Sequence, residues 1–493
     1  MLNEVKSLNE ECGLFGIWGS NVDETAGLIH DGLHSLQHRG QEGAGIVVTD
    51  DEYHIHRHRG LGLVSQVFAD SHVFDDLKGN IGIGHVRYAT AGSHGIKNIQ
   101  PFTFHLDDFT DFSLAHNGNL TNADTLKSIL KAKGASFNSD SDSEILGQLI
   151  KMSKQVKFID RLKEALRQIK GGFAFILSTG NELIAALDPN GFRPLVIGRR
   201  NDGSYVVCSE TCALDQVNAT YIRDVKPGEV VIINQNGITN DYFTKETHLS
   251  ICSMEYIYFA RPDSIIHNVS VHEARMRMGA LCAKENPIAA DVVIGVPNSS
   301  LSAALGYSQG SGIPYDMGMI KSQYVARTFI EPTQKKRERG VSMKLSVVRS
   351  VVKGKKVVLV DDSIVRGTTS KYIVKLLKDA GAKEVHVRIA SPALRFPCFY
   401  GIDIQTTEEL IAANHTVNEI KDIIGANSLG YLSVASLVKA INLKNYHGEG
   451  SGLCTSYFDG QYPTPLYDYQ SQFDKSAKKL GLYEEDNYIE RSI

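Results

Sequence analysis

Apolar residues along this chain fall mostly in short runs closed by turn residues, the pattern of buried strands. Residues 12–18 (CGLFGIW) read as one such strand, with two glycines that allow close packing. A helix is expected from about Glu24, carrying Leu28, Leu33 and Leu36. Residues 171–240 are strand-rich, with apolar runs at 173–177, 183–187 and 230–233. Turn signals separate them at Asp188-Pro189-Asn190-Gly191 and Lys226-Pro227-Gly228-Glu229. A linker falls at about 241–250. Beyond it, 291–296 (DVVIGV) and 357–360 (VVLV) are continuous apolar runs, as in parallel strands covered on both faces. Each leads into a small polar loop and then a helix. In the second, Ile373, Leu376, Leu377 and Ala380 recur at helical spacing, Thr368 or Thr369 is the expected N-cap, and Gly381 ends the helix. Two strand-loop-helix units with loops at one end predict a doubly wound α/β sheet. The last residues, from about 470, are charged and read as a loosely ordered helix with no assignable role.

Composition narrows the class. The chain has 493 residues, 42% hydrophobic and 22% charged, the size and balance of a globular protein of two or three domains. A net charge of −4 makes no electrostatic case for nucleic acid or an anionic membrane. No apolar run approaches a membrane span, and the opening MLNEVKSLNEE is too polar for a signal peptide. Seven cysteines in a chain this long are no disulfide framework, so a reducing cytoplasm is expected.

The loop Asp361-Asp362-Ser363-Ile364-Val365-Arg366-Gly367-Thr368-Thr369 combines opposed tendencies. Free backbone N–H groups and a helix N-terminus favour a phosphate, whereas adjacent carboxylates repel one. A sugar phosphate reconciles them, with hydroxyls or a bridging metal for the acids and phosphate for the amides. The plain alternative is that the acids cap the loop and Thr369 merely starts a helix. Residues 357–370 resemble the phosphoribosylpyrophosphate (PRPP) loop of the type I phosphoribosyltransferases. That resemblance implies an α/β transferase domain with a mainly parallel sheet. It implies that Asp361 and Asp362 hold the ribose hydroxyls, and that Ser363, Arg366, Gly367, Thr368 and Thr369 hold the 5′-phosphate. It also makes Pro297-Asn298-Ser299-Ser300 a pyrophosphate loop, with Ser299 joining Asp361 and Asp362 around one Mg²⁺ per subunit.

Polar clusters stand at the ends of elements in the first half, where functional groups are usually displayed. They are Gln37-His38-Arg39-Gly40-Gln41-Glu42-Gly43, Gly84-His85-Val86-Arg87-Tyr88-Ala89-Thr90, Leu114-Ala115-His116-Asn117-Gly118-Asn119-Leu120 and Ser139-Asp140-Ser141-Asp142-Ser143-Glu144. Taken singly, Cys12 is a small buried hydrophobe, Arg87 half of a surface ion pair and Asp142 a helix cap. Together they resemble the N-terminal nucleophile (Ntn), or class II, glutamine amidotransferases, from Cys12 to about residue 240. The resemblance implies an α+β Ntn-hydrolase sandwich, antiparallel sheets between helices. It implies that residues 1–11 are a propeptide whose removal makes Cys12 the first residue. A thiol needs a base, and a free α-amino group, titrating at about 7.7–8.0, supplies one on the same residue. Asn117 and Gly118 are implied as the oxyanion hole, Arg87 as the fork for glutamine's α-carboxylate and Asp142 as the contact for its α-ammonium. His85 and His116 invite a Cys–His dyad, but no spacing supports it, and both are read as structural.

Glutamine chemistry and PRPP binding on one chain resemble the amidophosphoribosyltransferase family, from Cys12 to about Tyr467. The implied layout is a propeptide at 1–11, an amidotransferase domain at 12–245, a transferase domain at 250–467 and a tail at 468–493. The implied reaction takes PRPP, glutamine and water to 5-phosphoribosylamine, glutamate and pyrophosphate, the first step of de novo purine synthesis. A cytoplasmic homotetramer inhibited by AMP and GMP is the family expectation. The basic run at 327–340 is implied as a loop that closes on PRPP and completes an ammonia passage, although such runs are usually solvated faces. Some family members hold a [4Fe–4S] cluster on four cysteines. Here Cys252, Cys398 and Cys454 are present but the fourth position is Tyr457, so no cluster is expected. A salvage transferase would leave the first 240 residues without a task. A PRPP-sensing regulator would need a nucleic-acid-binding module that neither charge nor motif supplies.

Overall fold

The strands of the first half form two antiparallel sheets. In the seven-stranded sheet, Gly13–Trp18 lies between Ile81–Arg87 and Tyr205–Cys208. In the six-stranded sheet, Asp111–Leu120 lies between Phe102–His105 and Gly171–Ser178. Alternation along each strand assigns the layers. Leu14 and Val47 meet Ile176 and Leu183 in the layer between the sheets. Phe15, Ile17, Ile46 and Val48 turn outward to pack with Ile29 and Leu33 of the helix Thr25–Ser35. Phe173, Phe175 and Leu177 turn the other way, onto helices Ala123–Ala132, Ser143–Met152 and Phe158–Gln168. The result is the expected helix-sheet-sheet-helix sandwich. The computed structural model describes residues 12–88, 95–106, 111–322, 345–402, 406–443, 448 and 450–480. The expected propeptide, the basic run at 327–340 and residues 481–493 lie outside the described residues.

The second half is built on a parallel sheet in the order Val292–Gly295, Lys356–Asp361, Glu384–Ile389, Ser428–Tyr431. Both faces are covered, which is why its first two strands read as continuous apolar runs. Val293, Val358 and Val360 face one core and Val292, Ile294, Val357 and Leu359 the other. The first two strands are neighbours, with Gly295 opposite Val360, so the loops that follow them lie side by side. Among the described residues, no helix is long and apolar enough to cross a membrane.

Some local expectations shift. The helix Thr368–Asp379 is capped by Gly367 at φ +74°, not by a threonine, and Thr368 is its first residue. That left-handed conformation is disfavoured for a β-branched side chain. Its buried stripe includes Val374, while Leu376 is only half-buried. The supposedly loose tail contains an ordered helix, Gln470–Lys479, with Phe473 and Ala477 buried. Just before it, the Asp468 carboxylate accepts from the backbone N–H groups of Asp124 (2.9 Å) and Thr125 (3.3 Å), opening the helix Ala123–Ala132 of the first half.

The halves also share a buried ion cluster. Arg39 Nε donates to Glu210, and its two terminal nitrogens donate to Glu255, which opens the short helical segment Glu255–Phe259 of the second half. Glu210 further accepts from the Arg261 N–H at 2.9 Å and the Ser264 hydroxyl at 2.6 Å. Burial alone would push the Glu210 carboxyl up, but His38 and Arg39 outweigh it and hold it well below the usual range. Arg39→Ala leaves the buried Glu255 without its guanidinium and Glu210 paired with His38 alone, and is expected to cost about 3–5 kcal/mol of stability. Thermal unfolding checks this, and an unchanged melting temperature would refute it.

Candidate active site

Cys12 directly precedes the strand Gly13–Trp18 and is 8% exposed. Its thiol donates to the Tyr88 carbonyl at 3.7 Å. Burial pushes the thiol pKa up to about 11, with Arg87 drawing it down and Asp142 and Glu42 pushing it up. The residues singled out as carboxylate fork and ammonium contact therefore both lie close enough to act on the charge of Cys12. Arg87 ends the strand Ile81–Arg87 and is buried, and its guanidinium is paired with Glu42. Glu42 in turn donates its backbone N–H to the Arg87 carbonyl at 3.0 Å. Sequence reasoning missed Glu42; its signal is an acid just before the strand Gly43–Thr49, which pairs Gly43 with Arg87.

The strand Asp111–Leu120 carries the presumed oxyanion donors. Gly118 sits at φ +146°, and a Cβ there would lie 2.0 Å from the Gly172 carbonyl oxygen, so only glycine fits. Asn117 is 1% exposed, and its side-chain Nδ2 has no hydrogen-bond partner among the described residues. Leaving such a donor buried and unmet costs about 1–3 kcal/mol, which a ligand oxygen would relieve. Asp142 occupies the N-cap position of Ser143–Met152 but makes no capping bond. Its carboxylate instead accepts the Leu120 N–H at 2.9 Å, tying the helix start to the end of the Asn117 strand. Burial, aided by Arg87, pushes His85 down to about 3, and its Nε2 meets the His116 carbonyl at 3.2 Å. His116 Nδ1 meets the Ser143 hydroxyl at 2.9 Å, and its ring stacks on Phe175 at 4.2 Å. Both histidines have structural partners.

In the second half the paired loops converge on the acids. Ser299 donates to Asp362, Ser300 to Asp361 at 2.9 Å and Asp362 at 3.4 Å, and Ser363 to Asp362 at 2.7 Å. Burial raises both carboxyls; the Asp362 charge raises Asp361 further, while the hydroxyls and Arg275 ease Asp362. An all-oxygen set of this kind suits a small hard cation. Ser300 was overlooked beside Ser299. Arg366 pairs with Glu409 at 2.6 Å, which ties the loop 363–367 to a segment the sequence had not flagged. Gly367 is pinned from the same side, since a Cβ there would lie 2.8 Å from Ile411 Cδ1. Thr368 and Thr369 open the following helix, where backbone N–H groups lack intrahelical partners.

Cys252, Cys398 and Cys454 are buried free thiols gathered near Tyr457. The Tyr457 hydroxyl donates to Cys398 Sγ at 3.2 Å and lies 3.4 Å from Cys252 Sγ. Cys252 is in register with Cys454 across the short parallel pair Ile251–Cys252 and Leu453–Cys454. Burial pushes the Cys252 thiol up to about 12 and the Cys454 thiol to about 11. The Tyr457 phenol thus lies against two of the three thiols. Among the described residues, no group of three or more His, Cys, Asp or Glu side chains is placed to hold a metal ion.

Known proteins agree with both halves. A glutamine amidotransferase domain family matches residues 85–216 and a phosphoribosyl transferase domain family matches 278–393. The chain is 54% identical to the amidophosphoribosyltransferase of Bacillus subtilis (strain 168) over 467 residues, 95% of this chain and 97% of that one. It is 55% identical to the amidophosphoribosyltransferase of Staphylococcus aureus (strain COL), over 94% of this chain and 93% of that one. A solved structure described as the allosteric regulatory enzyme of purine biosynthesis superposes with a TM-score of 0.88 at 52% identity, covering 94% of this chain and 99% of its own. The glutamine PRPP amidotransferase of B. subtilis, solved with ADP and GMP, gives 0.87 at 53% identity, covering 92% and 98%. With a glutamine-handling sandwich and a phosphoribosyl transferase sheet on one polypeptide, the chain belongs to the amidophosphoribosyltransferase family.

Proposed function

We propose that this chain converts PRPP, glutamine and water to 5-phosphoribosylamine, glutamate and pyrophosphate, the first step of de novo purine synthesis, through two sites joined by released ammonia. The unpartnered buried Nδ2 of Asn117, on the strand whose end is bonded to Asp142, carries the reading of the first site. Cys12 Sγ attacks the carboxamide carbon of glutamine, and its proton passes to the α-amine that Cys12 gains when residues 1–11 are removed. Asn117 Nδ2 and the Gly118 N–H receive the negative oxygen, while Arg87 and Asp142 hold the two ends of the amino acid. The C–N bond breaks, ammonia leaves with the relayed proton, and water cleaves the thioester to glutamate. At the second site ammonia attacks C1 of PRPP as pyrophosphate departs. Asp361 and Asp362 hold the ribose hydroxyls, and residues 363–369 the 5′-phosphate. Ser299, Asp361 and Asp362 would hold Mg²⁺, which would supply positive charge to offset that developing on the leaving pyrophosphate. Asn117→Ala is expected to lower glutamine-dependent turnover about 100- to 1000-fold; a turnover within twofold of the parent would remove the oxyanion assignment.

The cysteine pocket is read as a thiol–phenol cluster without iron, because the Tyr457 hydroxyl holds Cys252 and Cys398. Anaerobically purified protein should carry no stoichiometric iron or sulfide, and finding both would overturn this. A division at about 245–250, a cytoplasmic homotetramer and inhibition by AMP and GMP complete the proposal. Family membership supports these last readings, and the neighbouring structure solved with ADP and GMP supports nucleotide binding.

A further inference from the structure

Directly behind the Gly118 corner lies the second half of the chain, not solvent. Asn119, 8% exposed, donates its Nδ2 to the Phe399 carbonyl at 2.9 Å and to the Tyr469 hydroxyl at 3.4 Å. Gly401, at φ +129°, approaches so closely that a Cβ there would lie 3.1 Å from the Gly118 carbonyl carbon and 3.2 Å from Gly118 Cα. Between them, Tyr400 stacks on Phe192 at 4.1 Å, and its carbonyl accepts from the buried Arg193 guanidinium. A Cβ on Gly172, the residue opposite Asn119 in the sheet, would lie 3.0 Å from the Tyr400 carbonyl oxygen. Residues 399–401 are themselves anchored in the second half. The Tyr400 N–H donates to Cys398 Sγ at 3.3 Å, and its hydroxyl meets Thr464 Oγ1 at 2.9 Å.

We infer that residues 399–401 of the transferase half set the orientation of the oxyanion donors, with Asn119 and Gly401 as positioning residues. The inference rests on the reading of Asn117 and Gly118 as that hole. Oxyanion donors act only when aimed to within a fraction of an ångström of the developing charge. Glycine at residue 118 permits the required φ but does little to hold it. The Asn119–Phe399 hydrogen bond and the Gly401 contact supply the missing restraint to the Gly118–Asn119 segment. Glutamine chemistry thereby depends on the docked transferase half.

Steady-state rates with glutamine and with ammonia, measured on Asn119→Ala, Asn119→Asp and Gly401→Ala beside Asn117→Ala, test this. Asn119→Ala should lower kcat with glutamine about 10- to 100-fold, the usual cost of a misplacement near 1 Å. KM for glutamine should stay within twofold, and the ammonia-dependent rate should be unchanged. Asn119→Asp keeps the shape but cannot donate to the Phe399 carbonyl, so it should match Asn119→Ala. Gly401→Ala should show the same split; if it fails to accumulate, the two Asn119 variants decide. A parallel loss of both rates, or a raised KM with kcat intact, would mean that the contact is only structural and overturn the inference. If Asn117→Ala retains full kcat with glutamine, the oxyanion reading fails, and the inference falls with it. Loss in Asn117→Ala with none in the Asn119 variants sinks the inference alone.

Discussion

Cys12→Ala should abolish product formation with glutamine while leaving ammonia-dependent synthesis near the parental rate. Removing the nucleophile of a covalent route typically costs about 10⁶-fold, which takes the glutamine reaction below detection. Asp361 ends the strand Lys356–Asp361 of the parallel sheet, whereas Cys12 directly precedes Gly13–Trp18 of an antiparallel one, so under the proposed two-site reading external ammonia bypasses the lost thiol. Loss of both activities would sink the two-site reading. A second observable fixes the base. Burial holds the Cys12 thiol near a pKa of about 11, so at neutral pH it is protonated and must lose its proton during attack. The neutral α-amine can accept that proton and the ammonium form cannot. Glutamine-dependent kcat/KM should therefore rise with pH through about 8, where an α-amine titrates, and level off below the thiol's own value. A rise continuing toward 11 would leave no role for the amine. The same logic requires mass analysis of active protein to find Cys12 at the N-terminus, and protein still carrying residues 1–11 to be inactive with glutamine.

Legibility in the sequence followed how local each signal was. The acids at 361–362 and the flanking strand and helix are contiguous, and the structure gives them the expected strand-loop-helix geometry. Turn residues marked the strand ends, but the sandwich itself came from the resemblance, since a strand buried on both faces such as Ile46-Val47-Val48 shows no alternation in sequence although its residues face different cores. Partners contributed from far along the chain were not. Nothing beside Arg39 announces Glu255, nothing beside Arg366 announces Glu409, and nothing beside Asn119 announces Phe399. The errors at caps have one origin. A side chain suited to capping, Thr368 or Thr369, was expected to cap its helix, whereas tertiary structure gave the turn to Gly367; Asp142, whose plain alternative was a cap, is likewise used on the neighbouring strand. Thr416 shows the rule working where no such competition exists, with a capping box closed by Glu419.

Asp361→Asn and Asp362→Asn should produce the opposite selectivity to Cys12→Ala, with glutamine- and ammonia-dependent synthesis falling by the same factor. Displacement at C1 is common to both nucleophile sources, so damage to the PRPP site cannot be bypassed. Each carboxylate-to-hydroxyl bond is worth about 1.5–3 kcal/mol, or roughly 10- to 150-fold in kcat/KM for PRPP. The double variant should therefore lose about 10²- to 10⁴-fold, with the cation ligands as a further loss. Stability should move the other way. The two acids are buried and adjacent; burial raises both, and the Asp362 charge raises Asp361 further. An amide at residue 361 still accepts the Ser300 hydroxyl but carries no charge, so it relieves the repulsion while keeping the local bond. Asp361→Asn should thus unfold at the same or a higher temperature than the parent while losing activity. Such a pairing marks the acids as selected for chemistry at the expense of the fold. A variant that lost glutamine-dependent synthesis alone, or melted lower in proportion to its lost activity, would instead make the pair a structural support of the loop.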